Sequence, residues 1–314
     1  MIKHHDLKAG NAYRIEGFSF QTLPDLGREL CRFSTVNDVH FGETVCGSMD
    51  GSDIGPVFSV AEGETPYHDF MNEGAITEIQ AIDPALVLAK GDLTSEGTLE
   101  EYQRFLEFYR GAFGERLFHI RGNHDTARAE GIKADVKVCV ELPGVTVVTI
   151  DTVRPNSAGG TVYGHELEWL DELARTTSQP LLVFSHHQIW NPATPYRSED
   201  YFGIQPDDSE LLIDLVARRK AIRGCFAGHT HRNRVRYFPE TGDMPWVEVA
   251  SVKDFPGTWA EYKVFEQGIL QINHRVSTPE ALRWTDMTRA MYDGTYAEYA
   301  FGNLSDRCFL VTRF

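Results

Sequence analysis

Five short polar motifs, each directly after an apolar run, constrain the fold of this 314-residue chain more than any other feature. In chain order they are Asp38-Val39-His40, Gly91-Asp92, Gly122-Asn123-His124-Asp125, Ser185-His186-His187 and Gly228-His229-Thr230-His231. The apolar runs have the length and composition of buried strands. Loops at the carboxyl ends of neighbouring strands lie at one edge of a sheet, so side chains far apart in sequence can converge there. The motifs therefore predict one polar cluster built from five strand ends.

The rest of the pattern alternates strands with helices and then becomes rich in strands. The strands before the motifs are predicted over residues 31–37, 85–89, 116–120, 180–184 and 221–227. Helices are predicted over 67–82, 98–109, 166–174 and 208–220, and later strands over 235–238, 246–251 and 260–273. Thr98 is the expected N-cap of its helix, with Glu101 as its capping-box partner. This order predicts a layered α/β sandwich with two central sheets.

Two segments, 41–66 and 188–206, are predicted loops that are longer than a compact fold needs, which favours a functional role. The side chains in or beside them that could line a substrate pocket are Tyr67, His68, Tyr196, Tyr201 and Phe202. Packing within the loops explains these residues equally well. At the end of the chain, residues 279–291 are predicted to be helical and 307–314 to form a strand.

Composition excludes several classes of function. A formal net charge of −16 argues against binding a nucleic-acid duplex, which needs a basic surface. A small phosphate ester stays compatible with this charge if metal cations supply the local positive potential. No apolar run reaches the roughly 20 residues of a membrane helix, and the first residues do not resemble a secretory signal. We therefore expect a cytoplasmic protein without a membrane partner, whose five scattered cysteines are buried free thiols.

The motifs supply carboxylate, imidazole and carboxamide groups, which are ligands for metal ions such as Mn, Fe and Zn. On an extended segment, Asp38 and His40 would point the same way and reach one ion. Asp92 has two carboxylate oxygens and can bridge two ions. His229 and His231 have the same spacing, but on a loop they could face different ions. Each motif is a weak signal alone, whereas all five in order predict a site for two metal ions.

This motif series resembles that of the calcineurin-like metallophosphoesterases over about residues 31–275. Within that superfamily the chain is most similar to the bacterial class III cyclic-nucleotide phosphodiesterases. The segments that carry the narrower similarity are Gly91-Asp92-Leu93-Thr94-Ser95-Glu96-Gly97, Glu100-Glu101-Tyr102, Asp151-Thr152 and Leu167-Glu168-Trp169-Leu170. The resemblance implies a four-layer α/β/β/α sandwich with two central mixed sheets. It also implies a catalytic domain over 1–275, including an N-terminal extension over 1–30, and a C-terminal extension over 276–314 that packs on the domain or on a partner.

The resemblance assigns a role to each polar residue of the motifs. It implies a first metal ion held by Asp38, His40 and His231, and a second held by Asn123, His186 and His229. Asp92 would bridge the two ions, and His124 would be the catalytic histidine, near the scissile phosphate and not a ligand. It could donate a proton to the leaving alkoxide or stabilise its charge. Two cations about 3.5–4 Å apart activate a bridging water for in-line attack on a phosphate. We expect two divalent or mixed-valence ions, with Mn, Fe or Zn compatible with the ligands.

Two positions depart from the family pattern. Gln188 stands where the family usually has a proline two residues after the histidine ligand, so His187 is the alternative to His186. Ser95 stands where some relatives have an acid that orients the catalytic histidine, which leaves the orientation of His124 open.

The expected function is that of a dinuclear metal-dependent phosphodiesterase acting on a small phosphodiester, with a 3′,5′-cyclic nucleotide as one candidate. A phosphomonoesterase or a nucleotide pyrophosphatase with the same site is the alternative. A non-catalytic metal-binding scaffold is less favoured, because such relatives typically lack ligands or the catalytic histidine. The oligomeric state is open, and a homodimer is one option.

Overall fold

Two six-stranded sheets lie face to face at the centre of the structure, a computed structural model that describes residues 6–48, 53–128, 132, 137–198 and 200–314. The strands are β1 Ala12–Ile15, β2 Phe18–Gln21, β3 Glu29–Val36, β4 Val87–Lys90, β5 Leu117–Ile120, β6 Cys139–Leu142, β7 Val145–Thr149, β8 Leu181–Phe184, β9 Ile222–Ala227, β10 Arg234–Arg236, β11 Trp246–Glu248, β12 Thr258–Phe265, β13 Gly268–Arg275 and β14 Cys308–Arg313. The helices are α1 Tyr67–Ala81, α2 Leu99–Phe105, α3 Gly111–Phe113, α4 Gly164–Thr176, α5 Pro206–Arg218, α6 Pro279–Thr288, α7 Tyr296–Phe301 and α8 Leu304–Arg307.

Both sheets are mixed, and the strands that precede the polar motifs are parallel within each sheet. One sheet has the order β14-β13-β12-β3-β4-β5, in which β3, β4 and β5 are parallel. The other has the order β10-β11-β9-β8-β7-β6, in which β7, β8 and β9 are parallel. Parallel strands end at the same edge, so each sheet delivers its motifs to one edge.

Three apolar clusters separate the layers. Between the sheets, the rings of Phe33 and Tyr262 stack with their centroids 4.6 Å apart. On the outer face of one sheet, α1 buries Met71 and Ile79. On the outer face of the other sheet, Leu212 of α5 packs in a separate cluster together with residues of α4. Helices therefore cover both outer faces, and the predicted α/β sandwich with two central mixed sheets is confirmed.

Local signals in the sequence locate most elements, with one clear error. The capping box at the start of α2 is confirmed, because the backbone N–H of Glu101 donates to Thr98 Oγ1 at 3.2 Å and that of Thr98 to Glu101 Oε2 at 3.1 Å. The single strand predicted over 260–273 is wrong. The structure has a hairpin there, with Phe265 of β12 paired to Gly268 of β13. A two-residue turn interrupts the apolar pattern too briefly to be seen, and only Gly268 marks it.

The two ends of the chain add elements to this centre. Residues 12–21 form a separate two-stranded hairpin, β1–β2. At the other end, β14 pairs with β13 as an edge strand. Helix α6 packs on α1, where Trp284 stacks on Tyr67 with the ring centroids 4.4 Å apart. The division of the chain at residue 275 stays a prediction.

Two further expectations concern the burial of the cysteines and the absence of a membrane-spanning helix. All five cysteines are free, and Cys46 and Cys225 are buried as predicted. The expected burial is wrong for Cys139 and Cys308, which are exposed. Among the described helices, none combines the length and the apolar character that crossing a bilayer requires. Residues 49–52 and 199, within the two predicted loops, lie outside the described part of the chain.

Candidate active site

The five motifs converge on one cluster at the carboxyl ends of the parallel strands. Asp92 Oδ2 lies 3.6 Å from His40 Nε2 and 3.3 Å from His186 Nε2. Asp38 Oδ1 lies 3.5 Å from His231 Nε2. Asp92 therefore stands between residues of two other motifs, one from each sheet.

The remaining motif residues complete the cluster. His186 Nε2 lies 3.1 Å from Asn123 Oδ1, and the rings of His186 and His229 have their centroids 5.0 Å apart. Potential ligand atoms lie within 4.8 Å of one another in four overlapping groups. The groups are Asp38–His40–His231, Asp38–Asp92–His186, His40–Asp92–His124 and His186–His187–His229. His229 and His231 thus face different groups, as their position on a loop allows.

Backbone geometry at this cluster is unusual. Five of its residues have φ in the left-handed region: Asp38 at 52°, His40 at 44°, Asp92 at 49°, His229 at 66° and His231 at 52°. This region costs an L-residue about 1–2 kcal/mol. Such conformations persist where the surrounding structure enforces them, and they concentrate at functional sites. The expectation that Asp38 and His40 converge on an extended segment is therefore wrong, because a left-handed turn brings them together.

Two glycines permit the close approach of the motif loops. A Cβ on Gly122 would overlap the carboxylate of Asp92. A Cβ on Gly91 would lie 2.5 Å from Nδ1 of His186, which is far inside van der Waals contact. The glycines of these motifs thus leave room for the polar side chains of the neighbouring strand ends.

The two adjacent histidines after β8 have different environments. His186 Nδ1 lies 2.9 Å from the backbone carbonyl of Lys90, and a carbonyl only accepts, so Nδ1 carries the proton and Nε2 is left to face Asp92. His187 Nδ1 instead lies 2.9 Å from Thr152 Oγ1, and its Nε2 is buried without a hydrogen-bond partner among the described residues. Both imidazoles are close to His229, but only that of His186 also contacts Asp92 and Asn123.

His124 is oriented by the backbone. Its Nδ1 lies 2.7 Å from the carbonyl oxygen of Ser95, which must accept the Nδ1 proton. The N–H of His124 donates to Asp92 Oδ1 at 3.0 Å. Some relatives orient this ring with an acidic side chain at this position. Here Ser95 orients it with its main-chain carbonyl. Sequence reasoning had no means to see this, because any residue at position 95 has a carbonyl group.

Two carboxylates outside the predicted set support the cluster. Asp125 accepts hydrogen bonds from the N–H groups of Gly122, Leu93 and Thr94, and so ties two motif loops together. Asp254 Oδ2 lies 3.5 Å from His231 Nδ1. The Gly-Asn-His-Asp motif pointed to Asp125, but no sequence pattern singles out Asp254.

The carboxylates and imidazoles of the cluster shift each other's pKa values. Burial raises the pKa of Asp92, but the imidazoles of His186 and His124 outweigh it and hold this pKa well below its ordinary value. Burial lowers the pKa of His186, yet Asp92 raises it to about 9. For His231, Asp38 outweighs burial and raises the pKa to about 10. A cation bound here has to displace these protons, so its affinity falls as pH falls.

Lys90 lies beneath the cluster and is fully buried. Its Nζ donates to the carbonyl of Ala227 at 2.9 Å. Burial lowers its pKa from 10.5 to about 7, and Asp38 opposes this shift only in part. The unfolded chain therefore binds more protons than the folded chain between pH 7 and pH 10.5. Where that holds, the free energy of unfolding rises with pH.

We expect the free energy of unfolding to rise by on the order of 3 kcal/mol between pH 7 and pH 9.5 because of Lys90 alone. Urea denaturation of the protein and of Lys90→Met at both pH values measures this. Methionine does not titrate, so the free energy of unfolding of the variant should rise much less over this pH range. An equal rise in both proteins would show that Lys90 stays charged when buried.

A cleft of about 620 Å³ opens above the cluster. Asp92, His124, His229 and His231 form part of its lining, together with Thr230 and Phe202. The rest comes from the C-terminal segment: Tyr292, Thr295, Tyr296 and Tyr299. The three tyrosines are four and three residues apart, which is a helical spacing. This spacing alone does not indicate that they lie at the site.

Of the five aromatic candidates named from the sequence, Phe202 lines this cleft. The backbone carbonyl of Phe202 also accepts from His229 Nε2 at 2.7 Å. Tyr67 is instead buried against Trp284 and donates to Glu43 at 2.7 Å. Tyr196 is 73% exposed. For Tyr67, packing is thus the correct interpretation.

Comparison with curated proteins gives several relatives of modest identity. A probable cyclic nucleotide phosphodiesterase from Synechococcus sp. is 25% identical over 159 residues, which are 48% of this chain and 58% of the relative. A probable glycerophosphodiester phosphodiesterase from Arcobacter nitrofigilis is 25% identical over 162 residues, 48% of this chain and 57% of the relative. The chain thus spans somewhat more than half the length of these relatives.

The fold has a counterpart among solved structures. A dimetal phosphatase from Danio rerio superposes with a TM-score of 0.60 over 80% of this chain and 98% of that protein, at 12% identity. Residues 32–233 match the family described as calcineurin-like phosphoesterase, and this region contains all five motifs. This chain belongs to the calcineurin-like phosphoesterase family.

Proposed function

We propose that this protein is a dinuclear metal-dependent phosphodiesterase that hydrolyses a small phosphodiester, with a 3′,5′-cyclic nucleotide as one candidate. The observation that carries the proposal is the position of Asp92, whose Oδ2 lies 3.6 Å from His40 Nε2 and 3.3 Å from His186 Nε2. A carboxylate between two sets of ligand atoms is suited to bind two cations at once.

The proposed ligand sets follow the geometry of the cluster. Asp38, His40 and His231 would hold one ion, and Asn123, His186 and His229 the other, with Asp92 shared between them. His186 is preferred to His187 because it contacts Asp92 and Asn123.

The residues present fit a metal ion. Both ring nitrogens of His40 are buried and lack a hydrogen-bond partner among the described residues. Burial and the nearby His124 hold the pKa of His40 well below its ordinary value, so its imidazole is neutral and has a free lone pair. An unpaired buried imidazole is costly, whereas a bound cation would satisfy it. Mn, Fe and Zn all accept this ligand set.

The chemistry divides between the metal site and the protein. Two bound cations would neutralise phosphate oxygens and promote ionisation of a water. His124 lines the cleft with its Nδ1 proton held by the Ser95 carbonyl. In its imidazolium form the ring carries a second proton on Nε2, which it would give to a leaving alkoxide and so become neutral. Because Asp92 accepts from the backbone N–H of His124, the same residue fixes this histidine relative to the ligands.

Hydrolysis of bis-p-nitrophenyl and mono-p-nitrophenyl phosphate by Mn-loaded protein tests the proposal. We expect kcat/KM to be at least about tenfold higher for the diester, a difference of about 1.4 kcal/mol in transition-state stabilisation. A preference for the monoester would indicate a phosphomonoesterase with the same site. Hydrolysis of neither compound, nor of any member of a panel of cyclic nucleotides, dinucleotides and pyrophosphate esters, would favour the scaffold.

The proposal also covers location and substrate: we propose a cytoplasmic enzyme whose partner is a small phosphate ester. The relatives from Synechococcus and Arcobacter are both phosphodiesterases by name, which supports the diester but does not choose the organic substituent.

A further inference from the structure

The cleft has two chemically different linings. The motif loops contribute the proposed metal ligands and His124, and the other described lining residues are Phe202, Thr230, Tyr292, Thr295, Tyr296 and Tyr299. This second set contains four aromatic rings, three of them tyrosines, and two threonines, and none of its members carries a charge. A substrate whose phosphate lies at the cluster must therefore place its organic substituent against aromatic rings.

Two of these tyrosines are held by hydrogen bonds to residues that surround the cluster. Tyr296 is buried, and its hydroxyl donates to Asp254 Oδ1 at 2.8 Å, the carboxylate whose other oxygen faces His231. The hydroxyl of Tyr299 donates to the carbonyl of Thr230 at 2.9 Å, between the two histidines of the last motif. These hydrogen bonds fix the C-terminal segment over the cluster.

Three of the four rings remain accessible to a ligand. Tyr299 is 41% exposed and Phe202 is 44% exposed, although both line the cleft. Tyr292 is half-buried and its ring lies 5.5 Å from that of Tyr296. Exposed aromatic rings beside a charged centre are costly to hydrate and gain from stacking on a flat ligand.

The arginines beside this lining are already paired. The guanidinium of Arg232 lies 4.8 Å over the ring of Tyr299, and its Nε donates to Glu248 at 2.9 Å. Arg234 and Arg236 pair with the same buried carboxylate. A second anionic group in the aromatic part of the cleft would find no free cation among the described lining residues, and its desolvation would be uncompensated.

We propose that Tyr292 and Tyr299 of the C-terminal segment, together with Phe202, form the subsite for the organic substituent of the substrate, and that this subsite selects a flat, uncharged ring. The inference rests on the proposed function for the position of the phosphate. It adds that the C-terminal segment determines specificity, through residues outside the region that matches the family.

Phenylphosphonate and methylphosphonate test this without hydrolysis, because the two share a headgroup and differ only in the ring. We expect Mn-loaded protein to bind phenylphosphonate about tenfold more tightly by calorimetry, as stacking of a flat ring on aromatic side chains predicts. The anionic 4-carboxyphenylphosphonate should bind less tightly than phenylphosphonate. Equal affinity for the phenyl and methyl compounds, or tighter binding of the carboxylated ring, would overturn the inference.

Variants separate the ring of Tyr299 from its hydroxyl. Tyr299→Leu and Tyr292→Leu should each remove most of the preference for phenylphosphonate, whereas Tyr299→Phe, which keeps the ring, should retain it. Tyr237→Leu, at an exposed tyrosine outside the cleft, is the matched control and should keep the wild-type preference. If Tyr299→Phe and Tyr299→Leu weaken both phosphonates equally, Tyr299 acts only by holding Thr230 and the subsite assignment is wrong.

The same measurements keep this inference apart from the proposed function. A protein that prefers phenylphosphonate but hydrolyses no phosphodiester would refute the enzymatic function and leave the subsite intact. A protein that hydrolyses diesters without any preference between the two phosphonates would refute the subsite alone.

Discussion

Replacing His124 with alanine is expected to lower kcat on a phosphodiester by about 10²–10⁴-fold, the usual contribution of a positioned general acid, while both metal ions stay bound. The physical reason is the position of the ring, which lines the cleft and is fixed by the Ser95 carbonyl. A proton donor matters most for a poor leaving group. The loss should therefore be larger for a diester with an alkyl leaving group than for bis-p-nitrophenyl phosphate.

The metal content of the variant has to be measured as well, because His124 lies close to His40 and Asp92 and could itself be a metal ligand. His165→Ala is the matched control, since the side chain of His165 is 66% exposed and lies outside the cleft lining. Elemental analysis of both variants should give the wild-type metal content. A His124→Ala protein that has lost one ion would make His124 a ligand, and one with full turnover would remove it from catalysis.

Replacing Asp92 with asparagine is expected to remove more metal than any other single change of similar size. Asparagine keeps the shape of the side chain but loses the charge that faces His40 and His186. Losing an outer-shell partner of a metal site costs about 10–100-fold in affinity or activity, and a ligand shared by two ions should cost more. We therefore expect weak binding of both ions and a matching loss of turnover.

Asp286→Asn provides the control for this change, because its carboxylate is 77% exposed on α6. Dialysis against a defined concentration of Mn, followed by elemental analysis, measures the affinity of each protein. Wild-type metal content in Asp92→Asn would show that the two ions, if present, do not share this residue.

Much of the site is predictable from the sequence because its polar motifs follow strands that are easy to recognise. Asp92 and His186 each lie a few residues beyond a continuous apolar run, Asp38 follows a strand of mixed composition, and parallel strands end at a common edge. The convergence of these side chains can therefore be predicted even where the strand boundaries are in error by a residue or two. The local geometry at Asp38 and His40 is not predictable in this way, because the backbone there is left-handed and not extended.

The parts that sequence did not reveal depend on contacts between distant segments. The orientation of His124 comes from a main-chain carbonyl, which leaves no trace in residue type. Asp254 supports His231 although no motif surrounds it. Tyr299 reaches the cleft only because the C-terminal segment folds back over the last motif. Local patterns carry no information about such packing.

Titration of metal-stripped protein with Mn tests the two-metal account most directly, with bound metal and hydrolysis of bis-p-nitrophenyl phosphate followed together. If Asp92 is shared by two ions, two equivalents should bind per chain and activity should reach its maximum only when the second is bound, since Asp92 Oδ2 lies close to both His40 and His186. Full activity at one equivalent, or two bound equivalents without any hydrolysis, would contradict it.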